Sequence, residues 1–146
     1  MRILGVDHGD RHVGLAVSDR LLVTAQPFAT YVLKTSDEDN RAYFRDLVRG
    51  QDIGEIVVGL PLRLDGTAGR RAETVRGFAA WLRTAVGVPV TFWDERLTTH
   101  QAAGIMREQK VKLRDRRSVV NQIAAVLILQ GYLDSRRPDA NPPDRG

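Results

Sequence analysis

The first third of the chain alternates apolar and polar residues in short runs separated by turn residues, which is the pattern of β-strands. A first apolar run, residues 2–7, ends at an acid and is followed by a turn that contains glycine. Residues 12–18 alternate strictly, with apolar side chains on one face, as a half-buried strand requires. A third extended stretch, residues 28–34, completes a predicted meander of antiparallel strands.

The pattern then changes to helices that link single strands. Ser36 and the acids after it predict a helix N-terminus, and this helix runs to about Arg49. Residues 53–59 are apolar at successive positions, which is typical of a central strand covered on both faces. Residues 72–86 place apolar side chains at helical spacing, and residues 90–93 form another short strand.

The last third is predicted to be helical. Thr98 or Thr99 can cap a helix, and residues 118–136 form a helix that is apolar almost all round. We therefore expect an α/β domain over residues 1–136, with a mixed five-stranded sheet of three antiparallel and then parallel strands, flanked by helices. Residues 137–146 carry three prolines and no apolar pattern, so we expect a disordered tail.

Composition narrows the function classes. The 146 residues contain no cysteine, which removes disulfides, thiolate catalysis and zinc–thiolate sites. No apolar run approaches the ~20 residues of a membrane-spanning helix, and no export signal precedes the first strand. We expect a cytoplasmic protein without a membrane partner. The net charge of +4 and the pI near 10.0 favour a polyanionic partner.

Two acidic positions follow strands that could be neighbours in such a sheet. Asp7 closes the first strand, and Asp94 with Glu95 closes the last. Carboxylates delivered by different strand ends can share a hard divalent cation, and two such ions roughly 4 Å apart can bracket a scissile phosphate. The simpler alternative is that each acid only caps a turn.

Four blocks of sequence occur in an order that is specific to one family. They are GVDHG with RHVGLAVSD at 5–19, VGLPL with DG at 58–66, DERLTT at 94–99 and AAVLILQ at 124–130. Together they resemble the YqgF family of Holliday-junction resolvases and ribosomal-RNA-precursor nucleases. The resemblance covers the chain from near residue 3 to near residue 133.

The resemblance implies an RNase H-like fold and a nuclease that uses Mn²⁺ or Mg²⁺. It also implies that Asp7 and Glu95 are catalytic metal ligands, with a third acid on the last helix. This chain has Asn121 where the family usually has aspartate. Asparagine keeps the shape and one carbonyl oxygen of aspartate but brings no negative charge.

Three explanations of Asn121 stay open. The site can tolerate asparagine, helped by Asp94 or Asp115; the enzyme can be naturally weakened; or the residue can be an introduced substitution. We hypothesise the first, with Asn121 as the third catalytic ligand. We then expect a preference for manganese, which accepts mixed oxygen and nitrogen ligands more readily than magnesium.

Basic residues surround these positions in the sequence. A connector over residues 107–117 adjoins the helix of Asn121, and we favour a phosphate clamp over a solvated loop because positioning contacts flank cleavage centres. Other arginines fall in loops at the same sheet edge. The candidate nucleic-acid contacts are Arg11, Arg63, Arg70, Arg96, Lys110, Lys112, Arg114, Arg116 and Arg117.

Three further side chains have two readings. We expect His8 to be a solvent-facing turn residue, with a substrate contact or proton shuttle as the alternative. Trp81 and Trp93 fall in a periodic helix and a strand, so we expect core residues rather than base-stacking platforms.

The expected activity is hydrolysis of phosphodiester bonds in RNA or in branched or single-stranded DNA. On family grounds we favour processing of the 5′ end of pre-16S rRNA, with Holliday-junction resolution as the alternative. An ATP-dependent kinase or actin-like protein needs a second domain to enclose the nucleotide, which disfavours it. A nucleic-acid-binding module that has lost catalysis through Asn121 is the remaining alternative. A monomer and a homodimer are both compatible with the sequence.

Overall fold

The computed structural model describes residues 1–63, 65–95 and 116–136, with side chains described from residue 120 onward in the last segment. These ranges contain the following strands and helices: β1 (Arg2–His8), β2 (His12–Ser18), β3 (Ala25–Val32), α1 (Asp37–Gly50), β4 (Ile53–Leu60), α2 (Arg70–Val86), β5 (Val90–Asp94) and α3 (Arg116–Arg136). The helix predicted to follow Thr98 or Thr99 and the tail 137–146 lie outside the described residues.

The five strands form one mixed sheet in the order β3-β2-β1-β4-β5. β1 pairs antiparallel with β2 and parallel with β4, and β5 adds parallel to β4. The predicted meander followed by parallel strands is therefore confirmed. The third strand differs most from its predicted bounds, 28–34, since it begins at Ala25 and ends at Val32. It begins earlier because Ala25 and Gln26 pair with the end of β2 and a register shift accommodates Pro27.

Local capping signals fix the helix ends as predicted. The Ser36 side chain accepts a hydrogen bond from the Asp39 backbone N–H, so α1 begins at Asp37. Gly87 adopts a left-handed backbone with φ of 75° and ends α2. None of the helices that the structure describes is long and apolar enough to cross a membrane.

The two faces of the sheet are covered by different helices. Even-numbered residues of β1, such as Leu4 and Val6, pack with Phe44 of α1 and Leu82 of α2. Odd-numbered residues face α3, which covers the other side of the sheet. Burial of one such large apolar side chain contributes about 1.5–3 kcal/mol, so both layers are firmly held.

Candidate active site

Asp7 lies near the end of the central strand and faces α3. It is paired across the sheet with Gly14 of β2, and it is two residues beyond Gly5, which contacts α3. Side chains two residues apart on a strand share a face, so Asp7 points into the space under the first half of α3. Its side chain is buried, with 8% of the residue exposed.

Glu95 reaches Asp7 across the intervening strand. β4 lies between β1 and β5, so the two outer strands of this trio are about 10 Å apart. Gly59 of β4 leaves the gap open, and the Glu95 Oε2 atom lies 3.6 Å from the position that a Cβ at Gly59 would take. The structure thus brings together the two predicted carboxylates, which are hydrogen-bonded to each other.

The contact between the carboxylates changes the acidity of Asp7. Burial first, and then the charge and hydrogen bond of Glu95, together raise the pKa of Asp7 from 3.8 to about 8. The Arg71 guanidinium opposes this effect and lowers the pKa of Asp7. Two acids held this close share a proton or a cation, because two ionised carboxylates repel each other strongly where little solvent reaches them.

Asn121 is placed next to β2 by an unusually close approach of α3 to the sheet. A Cβ added at Gly14 would lie 2.0 Å from the backbone carbonyl oxygen of Asn121 and 2.9 Å from the Asn121 Cβ. Gln122 fixes the same turn of the helix, because its Nε2 donates to the Thr30 Oγ1 atom at 3.1 Å. Asn121 therefore lies beside Gly14, the strand partner of Asp7, and its role as a ligand stays a prediction.

The donor set formed by Asp7, Glu95 and the predicted third ligand, Asn121, would consist of oxygens. Two carboxylates and one amide carbonyl are ligands that hard divalent cations prefer. Within the described ranges, no group of three or more His, Cys, Asp or Glu is placed to hold a metal ion. Asp94 ends β5 next to Glu95, whereas Asp115 lies outside the described residues.

Arg71 is a site residue that the sequence analysis missed. It lies in the first turn of α2, donates to the Asp10 carboxylate at 2.8 Å and donates to the His8 carbonyl oxygen. It therefore ties the β1–β2 turn to the start of α2 and places a positive charge near Asp7. The sequence analysis named only the neighbouring Arg70, because the orientation of the helix, which separates the two arginines, is not visible in the sequence.

The predicted nucleic-acid contacts fall into three groups. Arg11 in the β1–β2 turn, and Arg63 and Arg70 around the β4–α2 loop, are exposed at the strand ends that carry the cluster. Arg116 and Arg117 start α3, and their side chains are not described. The remaining four lie outside the described residues: Arg96, Lys110, Lys112 and Arg114.

The expectation of a solvent-facing His8 was wrong. His8 points to the face opposite Asp7, where it is buried and its ring lies 4.4 Å from that of Phe78. Its Nδ1 atom is buried without a hydrogen-bond partner among the described residues. Burial, with the Arg71 charge, lowers the pKa of His8 from 6.5 to about 4. Trp81 and Trp93 are confirmed as partly buried residues packed on the core.

We expect His8→Phe to make the fold less sensitive to acid. Between pH 6.5 and 4 the unfolded chain binds a proton at His8 and the folded chain does not, so wild type loses stability as the pH falls. The slope from this residue reaches about 1.4 kcal/mol per pH unit. The gain of the variant over wild type, measured by urea unfolding, should widen toward pH 4; a pH-independent difference would contradict this account.

Comparison with known proteins identifies relatives along the whole described chain. The family model described as "RuvX: Holliday junction resolvase" matches residues 1–135. A protein of Lachnospira eligens is 45% identical over 139 residues, which are 94% of this chain and 99% of the relative. A protein of Syntrophus aciditrophicus is 46% identical over 144 residues, covering 99% and 95%. The names of both relatives refer to a pre-16S rRNA nuclease.

A solved structure shows the same architecture. RuvC of Thermus thermophilus, in complex with a Holliday junction substrate, matches with a TM-score of 0.57 and 19% identity. The match covers 97% of this chain and 99% of that one. At this identity the likeness shows the fold alone, and it confirms the predicted RNase H-like fold.

Proposed function

This chain belongs to the RuvX family, and from that premise we propose that it is a divalent-metal-dependent nuclease that hydrolyses phosphodiester bonds in nucleic acid. The observation that carries the proposal is the contact between the Asp7 and Glu95 carboxyls under α3. A buried pair of acids is costly unless a proton or a cation offsets the repulsion, and a divalent cation would displace the proton that Asp7 holds in the metal-free protein.

The residues of the cluster have distinct parts in this proposal. Asp7 and Glu95 would hold the cation, and the Asn121 amide oxygen would complete the set. A divalent cation held there supplies Lewis acidity, which stabilises charge on the phosphate oxygens and makes water a better nucleophile. Arg71 keeps the β1–β2 turn in place through Asp10, so that Asp7 stays aimed at the substrate.

We propose pre-16S rRNA as the substrate, because the names of the relatives refer to a nuclease of that RNA. The 5′ end as the cleaved region and the cytoplasm as the location follow from the family resemblance alone. A DNA four-way junction is the second candidate. The description of the family supports it, as does the junction bound to the RuvC protein of the same fold.

Cleavage of end-labelled nucleic acids tests the proposal. Single-stranded RNA spanning the 5′ end of 16S rRNA, single-stranded DNA and a four-way junction would each be incubated with Mn²⁺, Mg²⁺ or EDTA. We expect cleavage that needs the metal, with the RNA cut fastest. Preferential cutting of the junction would move the assignment to the second candidate, and binding without cleavage in any metal would leave a nucleic-acid-binding module.

We expect Asn121→Asp to raise the cleavage rate roughly tenfold, with a larger gain in Mg²⁺ than in Mn²⁺, because a single ligand change alters metal affinity on this scale. A matched control is Gln122→Glu, which adds the same charge one residue along α3 and can still bond Thr30 through the threonine hydroxyl. Equal gains in both variants would mean that charge on the helix, and not a ligand, limits the rate.

A further inference from the structure

A groove runs between α2 and the outer strand β5, on the face of the sheet opposite the carboxylate cluster. It encloses about 400 Å³. Ala79 and Ala80 of α2 and Val90 and Phe92 of β5 line its apolar part. Such a groove beside an outer strand is open to a partner that lies along it.

Phe92 gives the groove an exposed aromatic floor. Trp93 faces α3, where it contacts Gly131, so the preceding Phe92 points to the side of α2. The residue is 38% exposed, which makes it one of the few large apolar residues left in solvent within the described chain. An aromatic ring with an open face can stack a planar ligand.

Two arginines supply the charge of the groove. Arg76 and Arg83 are two helical turns apart and so lie on the same side of α2, where both line the groove. Both are exposed, and neither guanidinium has a hydrogen-bond or ion-pair partner among the described residues. Among the described residues, none of those that line the groove is acidic. This charge matches a chain of phosphates spaced along one direction.

We propose that this groove binds a single strand of nucleic acid, with a base stacked on Phe92 and phosphates on Arg76 and Arg83. The inference rests on the proposed nuclease function and extends it to a substrate-holding surface. Stacking on an aromatic side chain beside a basic track is the general way to bind a single strand without reading its sequence.

The strand that carries Phe92 also leads to the cleavage centre. Glu95 directly follows the end of β5, three residues after Phe92, so their Cα atoms are at most about 11 Å apart. A single strand held in the groove therefore passes the outer edge of the sheet close to the carboxylates, so the groove fixes which bond is presented.

Binding of fluorescein-labelled single-stranded RNA and DNA 12-mers, followed by anisotropy in EDTA, tests this surface. Phe92→Leu should weaken binding roughly tenfold, because base stacking is lost. Phe28→Leu is the matched control, since Phe28 is equally exposed (39%) on the opposite outer strand β3. Phe28→Leu should bind as wild type does.

The arginines are tested through salt dependence. Arg83→Gln should reduce the slope of log K against log salt by about 0.7, the value for one phosphate contact on a single strand. Arg49→Gln is the matched control, because Arg49 occupies the last turn of α1 as Arg83 occupies the last turn of α2. Thermal unfolding of every variant confirms that it is folded.

The outcomes separate this inference from the proposed function. If wild type binds and cleaves but Phe92→Leu and Arg83→Gln behave as their controls do, the proposed role of the groove is overturned and the proposed nuclease function is retained. If wild type neither binds nor cleaves any strand, both proposals fall. If Phe92→Leu leaves nucleic-acid binding unchanged and instead alters the sedimentation of the free protein, the occupant is a second copy of the chain, which also overturns the inference.

Discussion

Asp7→Asn is expected to reduce cleavage by a factor on the order of a thousand or more while making the metal-free protein more stable at alkaline pH. The loss of activity follows from removing a charged ligand that the proposed reaction needs. The gain in stability follows from burial and the neighbouring Glu95, which both disfavour the ionised form of Asp7.

The pH dependence has a defined sign. Between pH 3.8 and about 8 the folded protein keeps a proton on Asp7 that the unfolded chain has lost, so stability falls as the pH rises. His8 contributes the opposite slope below pH 6.5, which masks the effect there. Above pH 6.5 only Asp7 contributes of the two, with up to about 1.4 kcal/mol per pH unit.

Urea unfolding in EDTA from pH 6.5 to 8, with cleavage assays in Mn²⁺, measures both halves of this prediction. Wild type should lose stability across that interval, and Asp7→Asn should not. Exposed Asp46 on α1 offers a control, because Asp46→Asn leaves the buried pair intact. A variant that still cleaves at the wild-type rate would remove Asp7 from the catalytic centre.

The second large effect is expected from a single methyl group at Gly14. Gly14→Ala would place its Cβ 2.0 Å from the carbonyl oxygen of Asn121 and 2.3 Å from the carbonyl carbon, both backbone atoms that cannot rotate away. Overpacking of this kind costs about 3 kcal/mol or more. Thermal unfolding should show Tm lower by about 10 °C. Cleavage should fall as well, because α3 must withdraw Asn121 from Asp7.

The same substitution elsewhere should act in the opposite direction. Gly77 is exposed in the middle of α2, and a Cβ there meets no atom within 4 Å. Gly77→Ala should therefore raise stability by about 0.5–1 kcal/mol through helix propensity alone. If Gly14→Ala and Gly77→Ala shift Tm alike, the close approach of α3 to β2 is not a constraint.

Much of the fold could be predicted because its signals are local. Ser36 caps the first helix, Gly87 ends the second, and the alternation of apolar and other residues in β2 indicates which face of the strand packs on the core. Asp7 and Glu95 could be predicted as partners because acids at the ends of parallel or central strands converge on one edge of a sheet.

The remaining features of the site depend on distances between elements, which no local pattern encodes. Gly14 and Gly59 are ordinary strand glycines in the sequence, and only the position of α3 and Glu95 shows that a side chain would not fit. The role of Arg71 could not be predicted because it depends on how α2 is oriented about its own axis. His8 was misjudged because the strand continues one residue past Asp7 and turns the ring into the core.

The seating of α3 on the earliest strands has a consequence for synthesis of the chain. Gln130 of α3 forms hydrogen bonds with Ala25 and Val23 over sequence separations of 105 and 107 residues. The N-terminal strands therefore cannot pack against α3 until almost the entire polypeptide has been synthesised. At about 5–20 residues per second, β1 and β2 spend roughly 5–20 s without their covering helix. A nascent chain in this interval has Asp7 but not yet α3 with Asn121, so the candidate site is completed only after nearly the whole chain has been synthesised.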